Sequence, residues 1–243
     1  MTTKACLIIG AGDDTGAAIA RAFAAEGYAV CLSRRPRHAD KLEALATSIR
    51  DAGRRAHAFP CDARDEEAVR ALVSQIEDTV GPIEVAIFNI GANVRFSITE
   101  TTSRVFQKVW EMACFAGFLM GREVAKPMLK RGRGTILFTG ATASVRGSAG
   151  FAAFASAKHG LRAVAQSMAR ELGPKNIHVA HVVIDGAIDS NFIRENFPDV
   201  DAKRDADGIL NPDHIAANFV MLHNQPRTAW THELDLRPWA EPF

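Results

Sequence analysis

Gly10, Gly12 and Gly16 stand in the run IIGAGDDTGAAIA, and the spacing GxGxxxG suits the binding of a pyrophosphate. Glycine lets the main chain turn sharply and come close to phosphate. The helix start that follows offers free N–H groups and a favourable dipole. Thr15 joins the three glycines as a candidate contact in this loop. A tight turn with no ligand is the plainer alternative. Asp13 and Asp14 complicate the loop, because carboxylates repel phosphates; they are expected to face solvent or to cap the helix. A second group of residues lies in LSRRPR, where an acid would hold ribose hydroxyls. Ser33, Arg34 and Arg35 stand there instead, and arginine suits a 2′-phosphate through charge and paired donors. This favours NADP as cofactor, with NAD as the alternative.

In FASAK, Phe154 and Lys158 are one helical turn apart and share a face. The lysine can hold a nucleotide ribose or take part in proton transfer; the phenyl ring has no proton to give.

These residues need a frame, and the chain supplies an alternating one. ACLIIG, YAVCLS, RAHAFP, IEVAIFN, GTILFTG and IHVAHVVI read as buried strands, with a short seventh near HELDL. Helices are expected between them: after the glycine loop to Gly27, at about 40–52, through DEEAVRALVSQIEDTVG, over about 103–131, through GFAAFASAKHGLRAVAQSMARELGP, and at about 212–223. Strand and helix in alternation imply βαβ units. The fold class is α/β: a single-domain, Rossmann-like, doubly wound sheet of about seven mostly parallel strands with helices on both faces. One domain is expected over 1–243, with the charged segment 186–210 as an irregular, substrate-side lid. The ligand of such a sheet lies beyond the carboxyl ends of its strands.

Over nearly its whole length the chain resembles the short-chain dehydrogenase/reductase family. The glycine loop is one element of the likeness. In CDARDEEAV, Asp62 and Ala63 stand where the family flanks the adenine. FNIG stands for the family's NNAG and keeps Asn89 and Gly91. DGAIDS stands for PGxIxT and keeps Gly186 and Ile188, with Ser190 for Thr. The resemblance implies that these residues and Lys158 hold the cofactor, and that the protein is a homodimer or homotetramer built on its two long helices. It also implies an active site of Asn, Ser, Tyr and Lys. Here those positions carry Cys114, Ala141, Phe154 and Lys158, so only the lysine is kept. The chain is similar to a divergent subgroup with Phe in place of that Tyr.

In the family the Tyr moves a proton while hydride moves to or from the nicotinamide. Its loss removes an acid/base group worth roughly 100- to 10,000-fold. Lys158 and Thr142 are the candidate catalytic residues. Ser144 and Thr142 follow the fifth strand near the lost Ser, where a turn role is the plainer one. Tyr28, His159, His178 and His181 read as packing or surface groups. Asp185, which replaces a proline, is a candidate proton donor if its carboxyl were held neutral. Asp189 lies on the same loop. Either the chain is an oxidoreductase on a small carbonyl or alcohol with an altered proton step, or it binds a dinucleotide without turnover, as a sensor or structural partner.

Composition fits this picture. The chain has 243 residues, 47% of them apolar, and a formal net charge of +1, which gives no reason to expect nucleic acid or an anionic membrane as partner. Cys6, Cys31, Cys61 and Cys114 are scattered, so buried reduced thiols in a cytoplasmic protein are expected rather than disulfides or a metal. The apolar run before Gly10 is too short for a signal peptide or a membrane span. In the tail, Trp230, Trp239 and Phe243 are read as cover for the substrate side or a subunit contact, with simple packing as the default.

Overall fold

The structure, a computed structural model, describes residues 3–196 and 200–241. Seven strands form one sheet: β1 (Ala5–Ile9), β2 (Ala29–Arg34), β3 (Ala56–Pro60), β4 (Ile83–Phe88), β5 (Gly134–Thr139), β6 (Ile177–Ile184) and β7 (Glu233–Leu236). Their order in space is β3-β2-β1-β4-β5-β6-β7, and every pairing is parallel. The chain begins mid-sheet, winds to one edge, then crosses back. Its switch point lies between β1 and β4, where the loops after the two strands diverge and leave a crevice. Strands β1, β4 and β6 are buried at every position. Their mostly apolar sequences follow from cover on both faces, with Glu84 in β4 and His178 and His181 in β6 as buried polar exceptions.

The helices supply that cover. On one face Ile19 and Phe23 of α1 (Thr15–Ala25) and Leu42 of α2 (Ala39–Asp51) pack against Ile8, Leu32 and Ile87. On the other face lie Val69 and Ile76 of α3 (Glu66–Thr79). The expected helix over 103–131 is one run in three parts: α4 (Ser103–Trp110), a π-helical turn (Glu111–Phe115) and α5 (Ala116–Arg131). A π turn inside an α-helix is a frequent mark of a functional site; this one carries Cys114. Leu119 of α5 and Leu161 of α6 (Ala152–Leu172) complete the second face.

The segment 186–210 differs from the irregular lid expected, because it contains α7 (Asn191–Asn196) and α8 (Val200–Asp205). Both are short and carry few apolar residues, so no helical period shows in the sequence. Helix α9 (Pro212–His223) lies on the α1 side, and its Ile215 and Phe219 are buried there. In the tail, Trp230 stacks on His178 with ring centroids 4.8 Å apart, which is packing. Trp239 is 79% exposed and covers no cavity next to Lys158. Phe243 lies outside the described residues.

Candidate functional site

The glycine loop is pinned between two strands. Gly10 N and Ala11 N donate to the Ser33 carbonyl at 2.8 and 3.1 Å, and Asn89 Nδ2 donates to the Gly10 carbonyl at 3.1 Å. Gly10 has φ +93°, and a Cβ there would lie 2.5 Å from the Asn89 carbonyl oxygen. A Cβ at Gly16 would lie 2.5 Å from the Gly10 carbonyl oxygen, so α1 can approach the loop only without a side chain. The loop borders a cleft of about 250 Å³ whose walls include Gly10, Gly12, Arg34, Arg35, His38, Asp62, Ala63, Arg64, Asn89 and Gly91.

The charges in this cleft are unevenly matched. Arg34 Nη1 donates to Asp13 Oδ1 at 2.9 Å, and Lys41 reaches Asp13 Oδ2 at 3.4 Å. These cations hold the Asp13 carboxyl below its usual range, although its partial burial works the other way. Arg64 grips Asp62 with two N–H groups and lowers that carboxyl too. Arg35 makes no ion pair among the described residues. Burial, together with the charges of Arg37 and Arg64, lowers it below the usual arginine range. An uncommitted guanidinium among other cations suits an anion. The cleft therefore fits a phosphorylated nucleotide: a glycine cradle for the pyrophosphate, and Arg35 free for a further phosphate. Asp14 stands at the N-cap position of α1 without a side-chain capping hydrogen bond; its carboxylate instead accepts from the main-chain N–H of Asn191 at 3.2 Å.

A second cavity of about 510 Å³ adjoins the first, and Gly91 lines both. Ala141, Thr142, Phe154, Lys158, Gly186, Ile188 and Ser190 are among its walls. Lys158 is 1% exposed. Its Nζ donates to the main-chain carbonyls of Ile90 at 2.9 Å and Thr139 at 2.8 Å, tying the ends of β4 and β5 together. Burial lowers the ammonium to about 7. An ammonium has three N–H donors and a neutral amine has two. Both protonation states can therefore satisfy both carbonyls, and the third position on nitrogen is the one that gains or loses the proton. No protein hydrogen bond is made from that position among the described residues. The Phe154 ring lies with its centroid 5.9 Å from Nζ.

Thr142 Oγ1 donates to Asp185 Oδ1 at 2.5 Å, and Arg237 lies 2.8 Å from Asp185 Oδ2. Asp185 is buried and both of its oxygens are engaged, Oδ1 by Thr142 and Oδ2 by Arg237. Toward the cavity Thr142 offers lone pairs, its hydroxyl proton being directed at Asp185. Ser144 Oγ accepts from Ala141 N at 3.0 Å and is fully buried, which is a turn role.

The matches with known proteins follow this geometry. Residues 4–201 match the model of the short chain dehydrogenase family.

The chain belongs to the short-chain dehydrogenase family.

It is 51% identical to a short-chain dehydrogenase of known structure from Rhodopseudomonas palustris, with a TM-score of 0.83 over 97% of this chain and 99% of that one. It is 33% identical to the short-chain dehydrogenase/reductase eriH of Hericium erinaceus over 73% of this chain and 72% of the relative. Its fold also superposes on actinorhodin polyketide ketoreductase, with a TM-score of 0.87 over the whole of both chains at 23% identity.

In this short-chain dehydrogenase most residues expected at the cofactor come together. Gly10, Gly12, Arg34, Asp62, Ala63, Asn89 and Gly91 line the first cavity; Gly91, Lys158, Gly186, Ile188 and Ser190 line the second. Three expected contacts do not line either one. Ser33 is buried with an unpartnered Oγ, because alternation along β2 turns it away from the face that carries Arg34. Thr15 and Gly16 fall inside the first turn of α1, where Gly16 serves the close approach to Gly10.

Cys114 lies on the π turn, its thiol pushed up by burial, and a Cβ on Gly160 would come within 2.8 Å of its Sγ. The other residues weighed for proton transfer are engaged elsewhere. Tyr28 Oη lies 2.6 Å from His223 Nε2 and is pushed up to about 12 by burial. His159 bonds the carbonyl of Ala155, and His181 is buried beside Glu233. Asp189 is held at about 2, chiefly by its hydrogen bond from Arg194. Sequence reasoning missed His38 and Arg64 in the first cavity, and Asn93, Arg146, Ser148 and Phe151 in the second. The basic run RRPRH was the only signal for His38; no pattern marks the others.

Proposed function

We propose that the chain is an oxidoreductase that prefers NADP(H), acts on a small carbonyl or alcohol, and uses Lys158 as the acid or base in place of a tyrosine. The observation that carries this reading is the placement of Lys158. It is bonded to Ile90, a wall of the first cavity, and is itself a wall of the second. When bound, the nicotinamide supplies or accepts the hydride. The Ile90 and Thr139 carbonyls hold the lysine nitrogen in one place, and its third position can give a proton to a carbonyl oxygen or take one from a hydroxyl. Burial to about 7 poises the group for both directions near neutral pH. The apolar walls Phe151, Phe154, Ile184 and Ile193 exclude water and favour a substrate with an apolar body. Arg35, with His38 and Arg64 beside it, supports NADP(H) over NAD(H).

A second reading, a dinucleotide-binding protein without turnover, is favoured by Ala141 and Phe154. Both line the second cavity where a hydroxyl would be needed to hold a carbonyl oxygen. A homo-oligomer seated on the long helical run belongs to either reading. The test of cofactor preference is titration of the protein with NADPH and with NADH. Tighter NADPH is expected, and tighter NADH overturns the preference.

A further inference from the structure

We propose that Asp13 is an internal competitor for the 2′-phosphate, so that this one carboxylate limits how strongly the protein prefers NADP(H). The inference rests on the NADP(H) reading above. Asp13 lies in the glycine loop and projects its carboxylate to the end of β2. There it holds Arg34 at 2.9 Å and Lys41 at 3.4 Å. The Arg34 side chain is only 17% exposed, against 43% for Asp13, so the pair forms at the edge of the cleft with its cation turned inward. Arg34 lines the cleft beside Arg35; Asp13 does not.

A phosphate entering there meets two cations in different states. Arg35 has no ion pair among the described residues and can answer the phosphate directly. Arg34 answers it only by sharing or giving up Asp13, and the displaced carboxylate stays close enough to repel the phosphate. A 2′-hydroxyl carries no charge and provokes neither cost. The carboxylate therefore weighs against NADP(H) and leaves NAD(H) nearly unaffected. In the absence of cofactor it also keeps Arg34 oriented.

The experiment is calorimetric titration of the full chain with NADPH and with NADH, for wild type, Asp13→Asn, Arg34→Met, Arg35→Met and the double variant Asp13→Asn/Arg34→Met. Circular dichroism confirms the fold of each. Asp13→Asn is expected to tighten NADPH about tenfold, the size of one partly screened charge contact, and to change NADH by less than about twofold. Arg34→Met is expected to weaken NADPH more in the Asp13→Asn background than in wild type, because only there is the guanidinium free. Arg35→Met is expected to weaken NADPH in both. If Asp13→Asn leaves NADPH unchanged while Arg35→Met weakens it, the inference fails and the NADP(H) reading stands. If no variant distinguishes NADPH from NADH, or none binds either, both fail together.

Discussion

Thr142 Oγ1 donates a 2.5 Å hydrogen bond to Asp185 Oδ1 across 43 residues of sequence, joining the turn after β5 to the end of β6 beside the second cavity, which Thr142 lines. The acceptor is a buried carboxylate with Arg237 on its other oxygen. Removing the donor leaves that oxygen without its nearest partner. Thr142→Val, which keeps the shape, is expected to cost about 1.5–3 kcal/mol, the range for a hydrogen bond to a charged group. Thr142→Ser is expected to recover most of it. Urea unfolding of the three proteins checks this, and equal midpoints for Thr142→Val and wild type would contradict it.

Lys158 makes stability depend on alkaline pH. Its ordinary value is about 10.4, and burial lowers it to about 7 in the fold. Between those values the unfolded chain holds a proton that the native protein has released, so stability falls as pH falls through this window and is level below it. The slope is at most about 1.4 kcal/mol per pH unit for one proton. Lys158→Met is expected to gain on wild type as pH drops from about 10 to about 7, and no further below. Unfolding free energies at several pH values give the comparison; a constant difference across the window would refute the lysine's role in it.

His181 acts at the acid end. It is buried, hydrogen-bonded to Glu233 at 3.1 Å, and lowered to about 4, chiefly by burial. From its unfolded value of about 6.5 down to about 4 the unfolded chain binds the proton first, so stability present above about 6.5 is lost as pH falls. His181→Gln is expected to flatten that acid limb. A thermal-melting series from neutral to acid pH measures it.

The fold was legible because its signals are local. The apolar run of β1, the glycine after α1 and the asparagine and proline that open α9 all act within a few residues of themselves. The cofactor loops were legible for the same reason: Gly10, Gly12, Asn89 and Gly91 occur in short motifs. What escaped is tertiary. The Asp13–Arg34 pair spans 21 residues and the Thr142–Asp185 pair 43, and neither has a period. Ser33 stays outside the first cavity because strand alternation turns it from the face that carries Arg34. Asp185 was a candidate acid because it replaces a proline at the end of a strand; its partner Arg237, just past β7, leaves no local signal.

The long helical run carries an exposed aromatic face. Phe106 is 41% exposed, Trp110 40% and Phe118 38%, with Trp110, Phe115 and Phe118 in a continuous stack. If a second copy covers this face, Trp110→Glu and Phe118→Glu together are expected to shift the mass in solution to that of a monomer. Light scattering on the purified variant reads the result, and an unchanged mass places the subunit contact elsewhere.

In the reading proposed above, Lys158 supplies the proton where no tyrosine stands. Single-turnover oxidation of NADPH, followed by its nicotinamide absorbance against a panel of aldehydes, ketones and acyl thioesters over a range of pH, is the decisive experiment. Reduction of at least one carbonyl is predicted, with a rate that declines as pH rises through about 7. NADPH that binds yet stays reduced across the whole panel would contradict the claim and leave a nucleotide-binding protein in its place.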